Sequence, residues 1–373
     1  MDSDTEGDAG VPGRPGQWRG GLVEVDRLET GNPAELGGFL DAHGLGGEPG
    51  QQRGDTAVGL LIGAVGCARL GAVPEGRPSP VAVPEVVAVA YRRGDAVPRA
   101  TRGATVGDWM PSWSDDQHAA AVEEVRHAIA RGDVYQANVV GHRSAPFRGD
   151  PLAVAAAVAG LPGARYGGML AGAGWVVASA SPEQLVRVGG SRVTTVPIKG
   201  TDRDRDALRR SRKDRAEHVM IVDLERNDLA RMTVPGSVVV EELYVTAEWN
   251  GLWHASSTVA GELVPGTTSM DVLRAVAPGG SVTGAPKHAA CQLLAALEPV
   301  GRGVSMGAFG FCWPGGLDVG LTIRTVAAAD GRVHLWAGGG ITWGSDPGSE
   351  VREAHAKAAP VVAALAQVRP SSS

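Results

Sequence analysis

Between residues 115 and 131, Ala, Val and Ile recur three and four positions apart while Asp, Glu, Arg and His fill the opposite side, and Gly132 follows. That spacing predicts an amphipathic helix with a glycine stop. Residues 214–231 and 286–297 repeat the helical period, and Ser345-Asp346-Pro347 offers a side-chain cap with proline at the first position of a C-terminal helix. Shorter apolar runs at 174–180, 184–188, 192–198 and 333–336 read as strands. Turns as short as Gly189-Gly190 join consecutive strands. The pattern therefore predicts an α+β fold with large antiparallel sheets rather than a doubly wound parallel one.

Residues 1–17 are rich in Asp, Gly and Pro and predict a disordered tail without the basic start and apolar run of a signal peptide. Residues 18–110 alternate short apolar runs with a Gly/Pro-rich loop and hold no cluster of reactive groups, so they read as a structural lobe. Residues 111–370 hold the candidate chemistry. Apolar stretches at 56–68 and 166–182 are too short or too rich in glycine to span a membrane, and a cytoplasmic protein is expected. A net charge of -6 and a pI near 5.9 argue against a nucleic-acid partner. Cys67, Cys291 and Cys312 stand far apart in apolar surroundings and read as buried small hydrophobes.

Two acidic pairs share a spacing of three, Asp214 with Glu217 and Glu350 with Glu353, which puts each pair on one helix face. Such carboxylates suit a hard cation, Mg²⁺ rather than zinc, although the same spacing is common on solvated faces. Gly279-Gly280-Ser281-Val282-Thr283-Gly284-Ala285-Pro286-Lys287 leads into a helix but lacks the Gly-Lys-Ser/Thr ending of a phosphate loop. It remains a glycine-rich turn able to receive an anion, as does the expected turn at Gly338-Gly339-Gly340; either is equally an ordinary tight turn.

Taken in order, Ser181-Pro182-Glu183, Pro197-Ile198-Lys199-Gly200-Thr201, the 223–229 segment Asp-Leu-Glu-Arg-Asn-Asp-Leu, the 281–287 turn, Ile323-Arg324-Thr325 and residues 338–353 resemble the chorismate-utilising enzymes over residues 114–365. The resemblance implies a sandwich of antiparallel sheets with flanking helices. It implies Mg²⁺ on the ring carboxylate of chorismate, held by Glu217, Glu350 and Glu353. Arg324 and backbone near Gly339 would grip the side-chain carboxylate, with His254, Ser281 and Thr283 lining the ring. Glu183 resembles the family's general acid, placed to protonate the departing hydroxyl.

Pro-Ile-Lys-Gly-Thr is similar to the branch that aminates chorismate at C4, where the lysine attacks C2, hydroxyl leaves C4, and ammonia then adds at C4 and displaces the lysine. The anthranilate-forming branch usually has alanine at the position of Lys199. Gln136 stands where the water-adding branches carry a lysine base, which counts against them. Ser305 stands where relatives commonly carry a tyrosine, with much shorter reach. Gly66-Cys67-Ala68 does not match a glutaminase nucleophile, so the resemblance implies a separate glutamine amidotransferase partner, and a separate lyase for onward conversion to 4-aminobenzoate. The alternatives are an anthranilate synthase component or a catalytically decayed chorismate-binding subunit.

Overall fold

The computed structural model describes residues 21–52, 54–94, 102–249 and 252–369; the expected tail at 1–17 lies outside them. The first amphipathic segment forms the helix Asp115–Arg131, opened by a Ser114/Gln117 capping box and closed by Gly132 at φ 83°. That left-handed conformation suits glycine, which has no Cβ to clash. The C-terminal helix Pro347–Ala366 begins with Asp346 as its cap and Pro347 in the first turn, as the sequence predicts.

Among the described residues, strands form one ten-stranded and one eight-stranded sheet, built from antiparallel pairs. Leu60, Val87, Val186 and Val319 from the first meet Val140, Val177, Ala327 and Trp336 from the second in one apolar core. The outer face of the eight-stranded sheet is covered by the helices Pro151–Ala159 and Pro347–Ala366 through Val154, Val158, Val361 and Leu365. A strand whose two faces are both buried reads as a continuous apolar run, which is the pattern of Ala57–Ile62. This strand pairs with Ala308–Trp313, so the N-terminal segment extends the same sheet as the later chain.

Two sequence expectations change. The 192–198 run is two strands, Arg192–Val196 and Ile198–Asp202, both laid against Leu252–Glu262. Pro197 has no N–H to give the ladder, and the break falls there. The expected turn at 338–340 is instead the continuation of the strand Arg332–Ile341, with Gly338, Gly339 and Gly340 opposite Val140, Val139 and Asn138. Three glycines carry no apolar signal, so side-chain pattern ended the strand where the backbone pairing does not. No described helix is long and apolar enough to cross a membrane.

Candidate active site

The break at Pro197 sets up Lys199. Pairing with Leu252–Glu262 slips between Ile198 and Thr201, and Gly200 takes φ 84°. This irregularity lets the lysine leave the pleat, and its Nζ donates to Ser281 O at 3.3 Å. Ser281 in turn donates its Oγ hydrogen to Glu183 Oε1 at 2.8 Å. The 279–286 turn thus ties the lysine to a carboxyl that is 6 % exposed. Burial, the larger effect, pushes the Glu183 carboxyl up, with the Lys199 charge opposing it. Burial also pulls the Lys199 ammonium down, and Glu183 opposes that. Both groups are therefore biased toward their neutral forms.

Gln136 opens the strand Gln136–Gly149, is 0 % exposed, and has no hydrogen-bond partner for Nε2 or Oε1. Leaving a buried amide unpaired costs about 1–3 kcal/mol. A Cβ placed on Gly340 would lie 2.4 Å from Gln136 Nε2 and 3.4 Å from Lys199 Nζ, so the absent side chain at Gly340 gives both groups their space. At the adjacent Gly339 a Cβ would lie 3.1 Å from Glu350 Oε2, 3.6 Å from Glu353 Oε1 and 3.7 Å from Lys357 Nζ. Neighbouring glycines thus open the strand to two different groups of side chains, lysine and amide at one, carboxylates at the other.

Lys357 escaped the sequence reading. It lies one helical turn beyond Glu353, pairs with it at 2.7 Å, and donates to Gly338 O at 3.0 Å. Its charge reaches both Glu183 and Lys199. The signal was available in the spacing of four from Glu353.

Of the two acidic pairs, one is split. Asp214 packs where a Cβ on Gly200 would be, 3.3 Å from its own Cβ, while Glu217 accepts from Thr342 Oγ1 at 3.3 Å. Glu350 is buried and Glu353 exposed. Among the described residues no three His, Cys, Asp or Glu side chains stand close enough to hold a metal ion. The donor chemistry of Glu217, Glu350 and Glu353, all carboxylate, nevertheless suits Mg²⁺.

Arg324 follows the strand Gly316–Leu321 in a short loop at φ 50°, an uncommon conformation for a residue with a Cβ, pinned by Ala180 N donating to its carbonyl at 3.1 Å. The guanidinium makes no hydrogen bond or ion pair to another described residue, and burial pulls its pKa down. Its charge reaches His254, which is buried and held below the ordinary histidine value by burial first and Arg324 second. Thr283 donates its hydroxyl to Gly279 O at 2.8 Å and accepts from Asn138 N at its carbonyl, which fixes the turn. Ser305, fully buried, donates to Thr322 O at 3.3 Å and so braces the loop leading to Arg324.

Behind the turn lies a second charged group, drawn from the 223–229 motif. Lys287 Nζ pairs with Asp228 Oδ2 at 2.5 Å and donates to Val276 O, while Thr195 Oγ1 donates to Glu225 Oε2 at 3.2 Å. Burial first, then Asp228, pushes the Glu225 carboxyl up to about 8. Arg302 completes the brace, donating to Val282 O and Asn138 O at 2.6 Å and pairing with Glu298 at 2.6 Å. Cys67 and Cys312 are buried with thiols pushed up to about 12 and about 11 by burial; Cys291, expected to be buried, is partly exposed on the helix Lys287–Leu297.

Residues 82–363 match the family described as chorismate binding enzyme. The chain belongs to that family. Its relatives carry two names. It is 41% identical over 257 residues to anthranilate synthase component 1 of Streptomyces coelicolor, covering 66% of this chain and 50% of that one. It is 34% identical over 278 residues to aminodeoxychorismate synthase component 1 of Klebsiella aerogenes, covering 71% and 61%. The matches thus span about half to three-fifths of these curated relatives. In fold, this chorismate binding enzyme resembles anthranilate synthase component I from Streptococcus pneumoniae, with a TM-score of 0.79, 22% identity, and coverage of 97% of this chain and 95% of that one. It also resembles MenF, the menaquinone-specific isochorismate synthase of Escherichia coli, with a TM-score of 0.70, 17% identity, and coverage of 93% and 86%.

Proposed function

We propose that this chorismate-utilising enzyme aminates chorismate at C4 to give 4-amino-4-deoxychorismate, with Lys199 as a covalent nucleophile. The observation that carries the reading is the approach of Lys199 and Gln136 to the same space at Gly340, with Glu183 one hydroxyl away from the lysine through Ser281. A lysine attacks only as the neutral amine, and burial pulls Lys199 that way. A hydroxyl leaves readily only when protonated, and burial keeps the Glu183 proton available. Lys199 Nζ bonds to C2 as the ring double bonds shift and the C4 hydroxyl departs with the Glu183 proton. Ammonia then bonds to C4, the double bonds shift back, and Lys199 leaves.

The half-buried Arg324 guanidinium suits the enolpyruvyl carboxylate as a planar fork, with backbone near Gly339 assisting. Glu217, Glu350 and Glu353 would hold Mg²⁺, which when bound neutralises the ring carboxylate and favours electron density moving toward it. His254, Ser281 and Thr283 line the ring, and the neutral His254 adds no charge there. Gln136 can accept or donate a hydrogen bond but cannot take a proton, which disfavours activation of water. Ammonia would be delivered by a separate glutamine amidotransferase subunit: the Cys67 and Cys312 thiols of this chain are held far from the thiolate form.

The test is incubation of the purified chain with chorismate, Mg²⁺ and ammonium, with products separated by mass before and after addition of an aminodeoxychorismate lyase. Aminodeoxychorismate that the lyase turns into 4-aminobenzoate is the expected result. Anthranilate would move the enzyme to the other named group of its relatives, and unchanged chorismate would overturn activity of this chain with free ammonia.

A further inference from the structure

Beside the site runs a groove of about 520 Å³ whose lining includes Val134, Tyr135, Met220 and Trp343, with Glu217 and Thr342 as polar members. Two of these side chains are unusual for their size. Tyr135 is 73 % exposed and Trp343 61 % exposed, although aromatic rings normally gain from burial. Each is anchored by its backbone while its ring stays open to solvent. Tyr135 N donates to Ala285 O at 2.7 Å, and the Trp343 carbonyl accepts from Arg126 Nε at 3.4 Å, with the Arg126 guanidinium 5.6 Å from the indole.

The groove meets the candidate site at Glu217 and Thr342, and its two aromatic residues stand close to site residues along the chain. Tyr135 immediately precedes the buried, unpaired Gln136. Trp343 lies three residues after Gly340, beside which Gln136 and Lys199 meet. Glu217, hydrogen-bonded to Thr342, lines the groove and acts electrostatically on Lys199. A mostly apolar groove offers a water molecule few partners.

We propose that Tyr135 and Trp343 form the two sides of a water-excluding mouth, closing on bound substrate so that the Lys199 adduct meets ammonia rather than bulk water. This rests on the amination reading above. The competing reaction is the return of the adduct to chorismate. A water oxygen bonds to C4, the ring double bonds shift back, the Lys199 nitrogen leaves C2 with the bonding pair, and the proton lost by water ends on that nitrogen. Chorismate is regenerated carrying the oxygen of the solvent at C4, and no oxidant or reductant is needed. Excluding water from such a site is a recognised way to protect a reactive intermediate.

The experiment runs the purified chain with chorismate, Mg²⁺ and ammonium in ¹⁸O-water, and reads ¹⁸O in recovered chorismate against aminated product. A low ratio is expected for the wild type, a several-fold higher ratio for Trp343→Ala and for Tyr135→Ala, and a return toward wild type for Trp343→Phe. Both alanine changes fall on exposed rings, so thermal melting should stay at the wild-type value. If the wild type aminates and both folded alanine variants keep its ratio, the mouth is wrong and the amination reading stands. If the wild type yields no aminated product, the amination reading fails and takes the mouth with it.

Discussion

Two groups of buried charge flank the 279–286 turn, and they differ in how completely they answer themselves. Behind the turn, Lys287 meets Asp228, Arg302 meets Glu298, and Thr195 donates to Glu225. In front, Gln136 has neither amide atom paired and the Arg324 guanidinium has no described partner. A cluster that holds the fold satisfies its own polar atoms, because unpaired buried groups are destabilising. A cluster that waits for a ligand leaves some of them open, and the ones left open here, an amide and a guanidinium, suit an anionic, hydrogen-bonding ligand.

Changes in the open group should cost activity and spare stability, and changes in the closed group should do the reverse. Lys199→Ala should show the largest effect, a loss of amination on the order of 10³-fold or more with an unchanged melting curve, as expected for a covalent nucleophile. Full amination in this variant would remove the covalent step. Glu183→Gln should lower kcat by about 10²–10⁴-fold. The wild-type pH profile should fall on the acid side as Lys199 is protonated and on the alkaline side as Glu183 ionises, and Glu183→Gln should lose the alkaline limb. Retention of that limb would assign it to another group.

Lys287→Met should destabilise the fold by about 3–5 kcal/mol, because it leaves Asp228 buried without its cation. Thermal melting checks this, and an unchanged melting temperature would mean that the closed group contributes nothing to the fold. Arg324→Leu should raise KM for chorismate by the equivalent of about 1.5–3 kcal/mol while leaving the melting temperature unchanged. A smaller effect belongs to Glu225. Burial first, then Asp228, pushes its folded pKa up to about 8, above the ordinary carboxylate range, so the folded state holds its proton more tightly than the unfolded chain. Its contribution is fully present at low pH and is lost as pH rises through that window. Glu225→Gln should therefore be more stabilising at pH 9 than at pH 5, a difference that thermal melting at the two pH values reads.

Much of the fold was legible because it rests on local chemistry. Ser114 with Gln117 and Gly132, and Asp346 with Pro347, mark helix ends through hydrogen bonds within a few residues. What the pattern missed depended on partners far away in sequence. Gly338 to Gly340 look like a turn until the strand Gln136–Gly149 is laid beside them. The split at Pro197 follows from a missing N–H, yet only the slip against Leu252–Glu262 brings Lys199 toward the 279–286 turn. Within the site, the quoted motifs named Lys199, Glu183 and Arg324, whereas the unpaired state of Gln136 could appear only once its neighbours were in place. Asp214 and Glu217 look equivalent by spacing, but tertiary packing turns one to Gly200 and the other to Thr342.

The most direct test of the central claim is a search for the lysine adduct itself. The chain is incubated with chorismate and Mg²⁺ without ammonia, quenched and digested, and the peptide containing Lys199 is weighed. The expected result is a peptide heavier by chorismate less one water, absent from Lys199→Ala, that disappears when ammonium is added before the quench. An unmodified Lys199 peptide, together with aminated product from Lys199→Ala at the wild-type rate, would contradict it.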